Sequence, residues 1–273
     1  MGTLVCFHAH PDDEALSTGG SMARAHADGH RVVLVVATNG EHGEVPDDLA
    51  PDETLVDRRR KETTQSAAAL GIDEVVWLGY HDSGMTGWDQ NADPKSFLQA
   101  GVDDAGARLA DILRAEAADV LTIYDWHGNY GHPDHIKVNR VGIRAAEMVA
   151  ADLPGLRVFE ATINRDAIAA MIAQAAEAGI PSFGDEADEF DPHGPADDGN
   201  PIGMVEAELT HEVDVSAYLA AKRAAIASHR SQVTDTGFFL AMPEEMFAVG
   251  FGREWFIERG REPGMRPGWL FDE

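Results

Sequence analysis

Two histidines and three carboxylates lie within seven residues near the start of the chain, in the stretch HAHPDDE (8–14). Groups crowded in this way repel one another or compete for protons, and a buried charge is costly when it is unpaired. The stretch is therefore either a solvated turn or a site for a positive ion. The rest of the sequence must decide between the two.

A later stretch, NYGHPDH (129–135), supplies further candidate ligands. His10 and Asp13 lie three residues apart where the chain enters a helix, so both can face one point. A histidine from the later stretch would complete a set of two nitrogens and one carboxylate oxygen, the composition of a catalytic zinc site with one position open for water. His132 and His135 are also three apart, so one could bind metal while the other faces the substrate.

The pattern of apolar residues predicts the elements that position these stretches. Residues 3–8 and 31–38 are apolar runs typical of strands that are buried on both faces of a parallel sheet. The intervening residues 14–28 have helical spacing, which completes a βαβ unit. The alternation continues with predicted helices at 55–70, 102–117, 134–151 and 165–178, and predicted strands at 74–78, 120–124 and 157–163. We therefore predict an α/β fold with a Rossmann-like, mostly parallel open sheet and helices on both faces.

Ligands bind outside the carboxyl ends of the strands in such sheets. Three polar segments fall at predicted strand ends: residues 8–14, 38–45 and 124–139. We expect this topology to bring them to one rim.

One domain can account for all 273 residues. The acidic segment 181–206, rich in Pro and Gly, breaks the strand–helix rhythm and is interpreted as a loop or a lid. Residues 207–273 are predicted to form a strand, a helix and an aromatic tail that packs on the core.

The composition limits the classes of partner. The formal net charge is −27, with 48 acidic against 21 basic residues, and such a surface repels nucleic acid and anionic lipid. No run approaches the roughly 18 apolar residues of a membrane helix, and no signal peptide is recognisable. We expect a cytoplasmic enzyme with a small-molecule substrate, and a homo-oligomer is left open. Cys6 is the only cysteine, which excludes a disulfide within the chain and a multi-cysteine zinc site.

The combination of AHPDDE (9–14) with NYGHPDH resembles the PIG-L/LmbE-like zinc-dependent N-deacetylases, Rossmann-like enzymes that remove acetyl from N-acetylglucosaminyl groups. The segments RRRKETTQSAAALG (58–71) and KRAAIASHRSQV (222–233) fit other parts of that family. GEHGEV (40–45) and WLGYHDSGM (77–85) are similar to its mycothiol branch.

The resemblance implies roles for individual residues. The implied metal ligands are His10, Asp13 and His135, with Zn²⁺ expected and Fe²⁺ also compatible with this ligand set. The implied catalytic residues are Asp12 as general base, His132 as a protonated histidine, Asp134 as its acidic partner, and Tyr130 near the oxyanion. The implied sugar-binding residues are Glu44, Arg59 and Asp82.

Several alternatives stay open from the sequence. A mycothiol-conjugate amidase is one, although the lysine that this enzyme carries after the metal motif is absent from EALSTGG (14–20), which favours the deacetylase. A non-enzymatic sugar or nucleotide binder is another, but no G-x-G-x-x-G phosphate loop follows the first strand. Asp12 could instead cap the following helix, and His229 could be structural or could line the pocket.

Overall fold

The computed structural model describes residues 1–177, 191–232, 237 and 239–272. This part of the chain forms one sheet whose strands are β1 (Thr3–His8), β2 (Arg31–Thr38), β3 (Glu74–Tyr80), β4 (Val120–Tyr124), β5 (Arg157–Thr162), β6 (His211–Asp214), β7 (Arg253–Glu258) and β8 (Arg266–Pro267). Their order across the sheet is β3-β2-β1-β4-β5-β7-β6-β8. The first five strands pair in parallel, whereas β7 is antiparallel to both β5 and β6.

The helices in the described residues are α1 (Asp13–Ser17), α2 (Gly19–Ala27), α3 (Leu55–Leu70), α4 (Val102–Ala115), α5 (Gly128–Gly131), α6 (Pro133–Val149), α7 (Arg165–Glu177), α8 (Leu219–Ile226) and α9 (Glu244–Phe251). Of the helices in the described ranges, none combines the length and the hydropathy that a membrane span requires.

The predicted mostly parallel α/β sheet is confirmed, with two differences in detail. The helix expected over 14–28 is divided at Thr18 into α1 and α2. The antiparallel strand β7 was not predicted, because its short alternating sequence REWFIE lies in the aromatic tail, outside the predicted alternation of strands and helices. It covers the edge of β5 that a purely parallel sheet would have left open.

Both faces of β1 are buried, since successive side chains of a strand point to opposite faces. Val5 and Phe7 join a core that includes Leu109 of α4 and Val138 of α6. On the other face, Leu4 and Cys6 join a core with residues of α2, α3 and α8, among them Met22, Leu70 and Ile226. The loop that follows β1 therefore starts from a fixed position between the two cores.

The predicted loop or lid at 181–206 lies partly outside the described residues, which resume at 191. Its described part is mostly turns, with a 3₁₀ helix at Glu206–Glu208. It contacts the segment before α6: the N–H of Asp197 donates to the carbonyl of Tyr130 (3.1 Å), and the N–H of Gly203 donates to the carbonyl of Asn129 (2.6 Å). The single-domain organisation and the role of this segment stay predictions.

Candidate metal centre and active site

Three loops at the carboxyl ends of parallel strands bring the predicted site residues together. Residues 9–14 follow β1, Asp82 follows β3, and His132 and His135 lie at the start of α6, after β4. Gly128 allows the close approach of the last loop, because its φ is +69° and a Cβ there would lie 2.5 Å from the Cβ of His135. The loops after β1, β3 and β4 therefore meet as the topology predicts. The loop after β2 contributes mainly backbone groups and residues at the edge of the site.

His10, Asp13 and His135 form a small triangle of potential ligand atoms. The Nδ1 of His10 lies 3.3 Å from the Nε2 of His135. One carboxylate oxygen of Asp13 lies 3.3 Å from the Nδ1 of His10, and the other lies 3.3 Å from the Nε2 of His135. Ligand atoms held 2.0–2.2 Å from a tetrahedral zinc ion are about 3.3–3.6 Å apart, so the three groups fit such an ion.

The second nitrogen of His10 is held by Asp134, as metal-binding histidines usually are. Its Nε2 lies 3.3 Å from a carboxylate oxygen of Asp134, which leaves the lone pair of Nδ1 directed at Asp13 and His135. Ser83 fixes the carboxylate in turn, donating to it from both its backbone N–H and its hydroxyl. The prediction that the Asp134 carboxylate pairs with His132 is therefore corrected: the carboxylate contacts His10 and Ser83.

His135 is oriented by stacking rather than by a hydrogen bond. Its ring lies parallel to that of Tyr124, with centroids 4.3 Å apart. Within the described residues its Nδ1 has no hydrogen-bond partner. The hydroxyl of Tyr124 is itself 2.8 Å from the Nδ1 of His8, so the stacking platform is fixed from the strand side.

Two other groups of three potential ligands are close enough to hold an ion, and both include His10: with His132 and His135, or with Asp82 and Asp134. The second group is occupied by protein contacts, because Asp134 receives hydrogen bonds from Ser83 and one oxygen of Asp82 accepts the N–H of Gly84 (2.8 Å). The contacts of 3.3 Å that join His10, Asp13 and His135 favour these three as the ligands, and the group of His10, His132 and His135 stays an alternative.

The charges at this centre depend strongly on one another. Burial would lower the pKa of His10, but the carboxylates of Asp82, Asp13 and Asp134 raise it well above its usual value. Burial would raise the pKa of Asp13, but His135 and His10 hold it well below its usual range. The cluster thus favours positive charge between these side chains, which a metal ion can supply as well as protons.

Asp12 has an unusual backbone conformation, with φ 119° and ψ −31°. Residues other than glycine rarely adopt such angles, which cost about 1–3 kcal/mol and persist only when the surroundings hold them. Its side chain makes no helix-capping hydrogen bond, so the capping alternative is not realised. Instead its Oδ2 accepts a hydrogen bond from the guanidinium of Arg59 at 2.9 Å.

Burial raises the pKa of Asp12 to about 6, although Arg59 opposes this shift. A carboxylate with a pKa near neutrality can both accept and return a proton at physiological pH. Among the described residues no hydrogen bond reaches its Oδ1, so this oxygen is available to a reactant. The environment of Asp12 suits a general base.

His132 differs from its predicted protonated state. It precedes α6, and its Nδ1 accepts the backbone N–H of Asp134 at 3.1 Å, so this nitrogen carries a lone pair. Burial, together with His10 and His135, lowers the pKa of His132 to about 2. The accepted N–H and the lowered pKa favour a neutral ring with its proton on Nε2, whereas the protonated state of His132 stays a prediction.

Arg59 is 3% exposed, and its guanidinium is used within the protein. It donates to the carbonyls of Gly40 (2.8 Å) and Pro11 as well as to Asp12. These contacts hold the turn that carries Asp12, and the binding of sugar hydroxyls by Arg59 stays a prediction. Arg59 is buried because it lies on the face of α3 that packs on the domain. The sequence does not reveal this, because Arg59 stands in a run of six charged residues, 57–62.

The remaining predicted residues lie around the centre. Asp82 is 5% exposed, with its Oδ1 3.5 Å from the Nε2 of His10. The ring of Tyr130 is 5.0 Å from that of His135. Glu44 is exposed, and its backbone exchanges two hydrogen bonds of 3.1 Å with the side chain of Gln232.

The environment of Glu14 could not be predicted from the sequence. This residue is fully buried beside Asp12, and its carboxylate accepts a hydrogen bond from His229 at 2.7 Å. The stretch HAHPDDE contains Glu14, but its partner lies 215 residues away, so nothing local in the sequence pairs the two. His229 is thus structural in its contacts and not exposed in a pocket.

Comparisons with known proteins identify the family of this chain. The family model described as PIG-L: GlcNAc-PI de-N-acetylase matches residues 5–146. A 1D-myo-inositol 2-acetamido-2-deoxy-alpha-D-glucopyranoside deacetylase from Thermomonospora curvata is 34% identical, over 97% of this chain and 96% of that protein. A protein of the same name from Acidothermus cellulolyticus is 38% identical, over 93% of this chain and 88% of that protein.

Among solved structures, the N,N'-diacetylchitobiose deacetylase from Pyrococcus horikoshii has a similar fold. Its TM-score is 0.59 at 21% identity, over 94% of this chain and 83% of that chain. At this identity the likeness shows the fold alone. The family match and the two relatives carry the further conclusion: this chain belongs to the PIG-L (GlcNAc-PI de-N-acetylase) family.

Proposed function

We propose that this protein is a zinc-dependent deacetylase that removes the N-acetyl group from an N-acetylglucosaminyl conjugate, with the inositol conjugate as its substrate. The observation that carries the proposal is the triangle of His10, Asp13 and His135, with Asp12 beside it. The names of the two relatives supply the substrate class.

The metal ligands in this proposal are His10, Asp13 and His135. A divalent ion held there would polarise an amide carbonyl and would lower the pKa of its bound water from 15.7 towards about 7. The ligand set of two imidazoles and a carboxylate suits zinc, and Fe²⁺ is also compatible with it.

Asp12 takes the proton of the attacking water as the new C–O bond forms. Its Oδ2 is held by Arg59, so Oδ1 is the oxygen that accepts this proton. When the C–N bond breaks, Asp12 returns the proton to the leaving amine, and acetate and the free amino sugar remain. We assign this return step to Asp12 because neutral His132 holds its one ring proton on Nε2 and its Nδ1 accepts a backbone N–H.

His132 acts as a hydrogen-bond donor in this scheme. Its Nε2–H is directed to the negative charge that develops on the former carbonyl oxygen, and donors positioned in advance for such a charge contribute strongly to catalysis. Tyr130, whose ring lies 6.3 Å from the ring of His132, is proposed to supply a second donor from its hydroxyl.

Glu44 and Asp82 are the proposed sugar contacts, since carboxylates accept hydrogen bonds from hydroxyl groups. Polar groups of this kind reject analogues that lack the matching hydroxyls, because the protein's own groups would be left unpaired. The chain should therefore prefer an N-acetylglucosamine unit to a simple acetamide.

Acetate release from the zinc-loaded protein tests the proposal. We expect kcat/KM to fall in the order N-acetylglucosaminyl-inositol, free N-acetylglucosamine, unrelated acetamide. No release by protein with bound zinc would refute deacetylation, and equal values for the three compounds would refute sugar recognition. Preference for an acylated cysteinyl conjugate would favour the amidase.

A further inference from the structure

The peptide group between Pro11 and Asp12 is held at both ends. Its carbonyl oxygen accepts a hydrogen bond from Arg59, and its N–H donates to the Oε2 of Glu14 at 2.9 Å. The next carbonyl, that of Asp12, accepts the N–H of Ala15 at 3.0 Å. This arrangement fixes the plane of the peptide that determines φ of Asp12.

Glu14 is itself held by residues from two other elements. Its Oε1 accepts a hydrogen bond from the Nε2 of His229 at 2.7 Å and another from the hydroxyl of Ser66 at 2.5 Å. All three residues are fully buried. Ser66 lies two turns after Arg59 on α3, and His229 follows α8, so the position of Glu14 depends on the packing of both helices.

Both carboxylate oxygens of Glu14 are held by hydrogen bonds. Glu14 receives one hydrogen bond at the oxygen that faces the Asp12 turn and two at the oxygen that faces the helices. The backbone angle of 119° at Asp12 is unfavourable for a residue with a side chain, so the turn would relax if one end of the peptide were released. Relaxation would rotate the Asp12 carboxylate away from Arg59.

We propose that Glu14, held in place by His229 and Ser66, is a positioning residue that keeps Asp12 in the conformation required of the base. The inference rests on the proposed function for the role of Asp12. His229 then affects the reaction indirectly, through its hydrogen bond to Glu14 and the hydrogen bond of Glu14 to the N–H of Asp12. It does not contact the substrate in this proposal.

The test compares Glu14→Met with Glu14→Gln. Methionine has a similar size and no strong acceptor, so Asp12 loses its backbone hydrogen bond. Glutamine keeps one acceptor oxygen for that N–H, and His229 can present the lone pair of Nε2 to the glutamine amide. We expect kcat to fall at least about 10²-fold in Glu14→Met, with KM and bound zinc unchanged, and to recover most of its value in Glu14→Gln.

Glu254 provides a matched control. It is also a buried carboxylate that accepts two backbone N–H groups, those of Gly20 and Ser21, and it pairs with a buried cation, Lys222, at 2.6 Å. Glu254→Met should lower the melting temperature but leave the kcat of the folded protein near the wild-type value. Equal losses of kcat in Glu14→Met and Glu254→Met would overturn the proposal, as would a loss that follows zinc content.

A crystal structure gives a readout that does not depend on activity. We expect φ of Asp12 to leave the positive region in Glu14→Met, and the Asp12–Arg59 contact of 2.9 Å to lengthen. If that variant does not fold, His229→Leu serves in its place, because it removes the donor that holds Glu14. An unchanged Asp12 in that structure would overturn the inference, whereas wild-type protein without activity would refute only the proposed function.

Discussion

The Nδ1 of His10 and the Nε2 of His135 lie 3.3 Å apart, although 125 residues separate them in the sequence. Asp134 binds the other nitrogen of His10, so the lone pair of the His10 Nδ1 faces the space that it shares with the Nε2 of His135. Such an approach is favourable when a cation lies between the rings. The two histidines follow the neighbouring parallel strands β1 and β4, so the topology of the sheet accounts for their closeness.

His135→Ala should lose the metal, because it removes one of three protein ligands. We expect zinc affinity to fall more than 100-fold, since replacing even a residue that only supports a ligand typically costs 10–100-fold. Zinc titration followed by elemental analysis measures this. His193→Ala, which changes an exposed histidine, is the control and should retain full zinc content. Wild-type affinity in His135→Ala would place the metal elsewhere.

Asp134→Asn should weaken zinc binding about 10–100-fold without removing a ligand. The asparagine amide can present N–H groups to the Nε2 of His10, which favours the ring tautomer with a proton on Nδ1, the nitrogen that must face the metal. Zinc affinity measured by competition with a chelator checks this. Asp152→Asn, at an exposed ion pair with Arg114, is the control. If both variants bind zinc like the wild type, Asp134 does not fix His10.

Arg59→Lys distinguishes a positioning role from sugar binding. Lysine retains the charge but lacks the planar fork that reaches Pro11, Gly40 and Asp12 together. We expect kcat to fall at least about 10-fold with little change in KM, since hydrogen bonds to charged groups contribute about 1.5–3 kcal/mol. Steady-state kinetics provide the measurement, with Arg60→Lys as control, because Arg60 is the exposed neighbour on α3. A rise in KM at constant kcat would restore the sugar-binding interpretation of Arg59.

The sequence was sufficient to predict the central sheet and the meeting of its loops. The apolar runs 3–8 and 31–38 have the same bounds as β1 and β2. Strands that are buried on both faces have continuous apolar sequences, so the ends of the run mark the ends of the strand. β7 could not be predicted, because its antiparallel pairing depends on which strand lies beside it in the folded chain. The sequence of β7 itself shows only a short alternating pattern.

The site residues divide in the same way. The proximity of His10, Asp13 and His135 follows from residue type and strand order, so the sequence could suggest it. The protonation of His132 depends on a backbone N–H that lies 3.1 Å from one ring nitrogen, and the burial of Arg59 depends on helix packing. Neither depends on residue type alone, so neither could be predicted from the sequence.

The most direct test of the account measures bound zinc and kcat in Asp12→Asn with the N-acetylglucosaminyl-inositol conjugate. Asparagine tolerates positive φ, so the turn should persist, and the amide can still accept the hydrogen bond of Arg59. It cannot take a proton from water at neutral pH. The account predicts wild-type zinc content and a kcat lowered about 10²–10⁴-fold. Full activity, or loss of zinc together with activity, would contradict the assignment of Asp12 as the base beside a metal held by His10, Asp13 and His135.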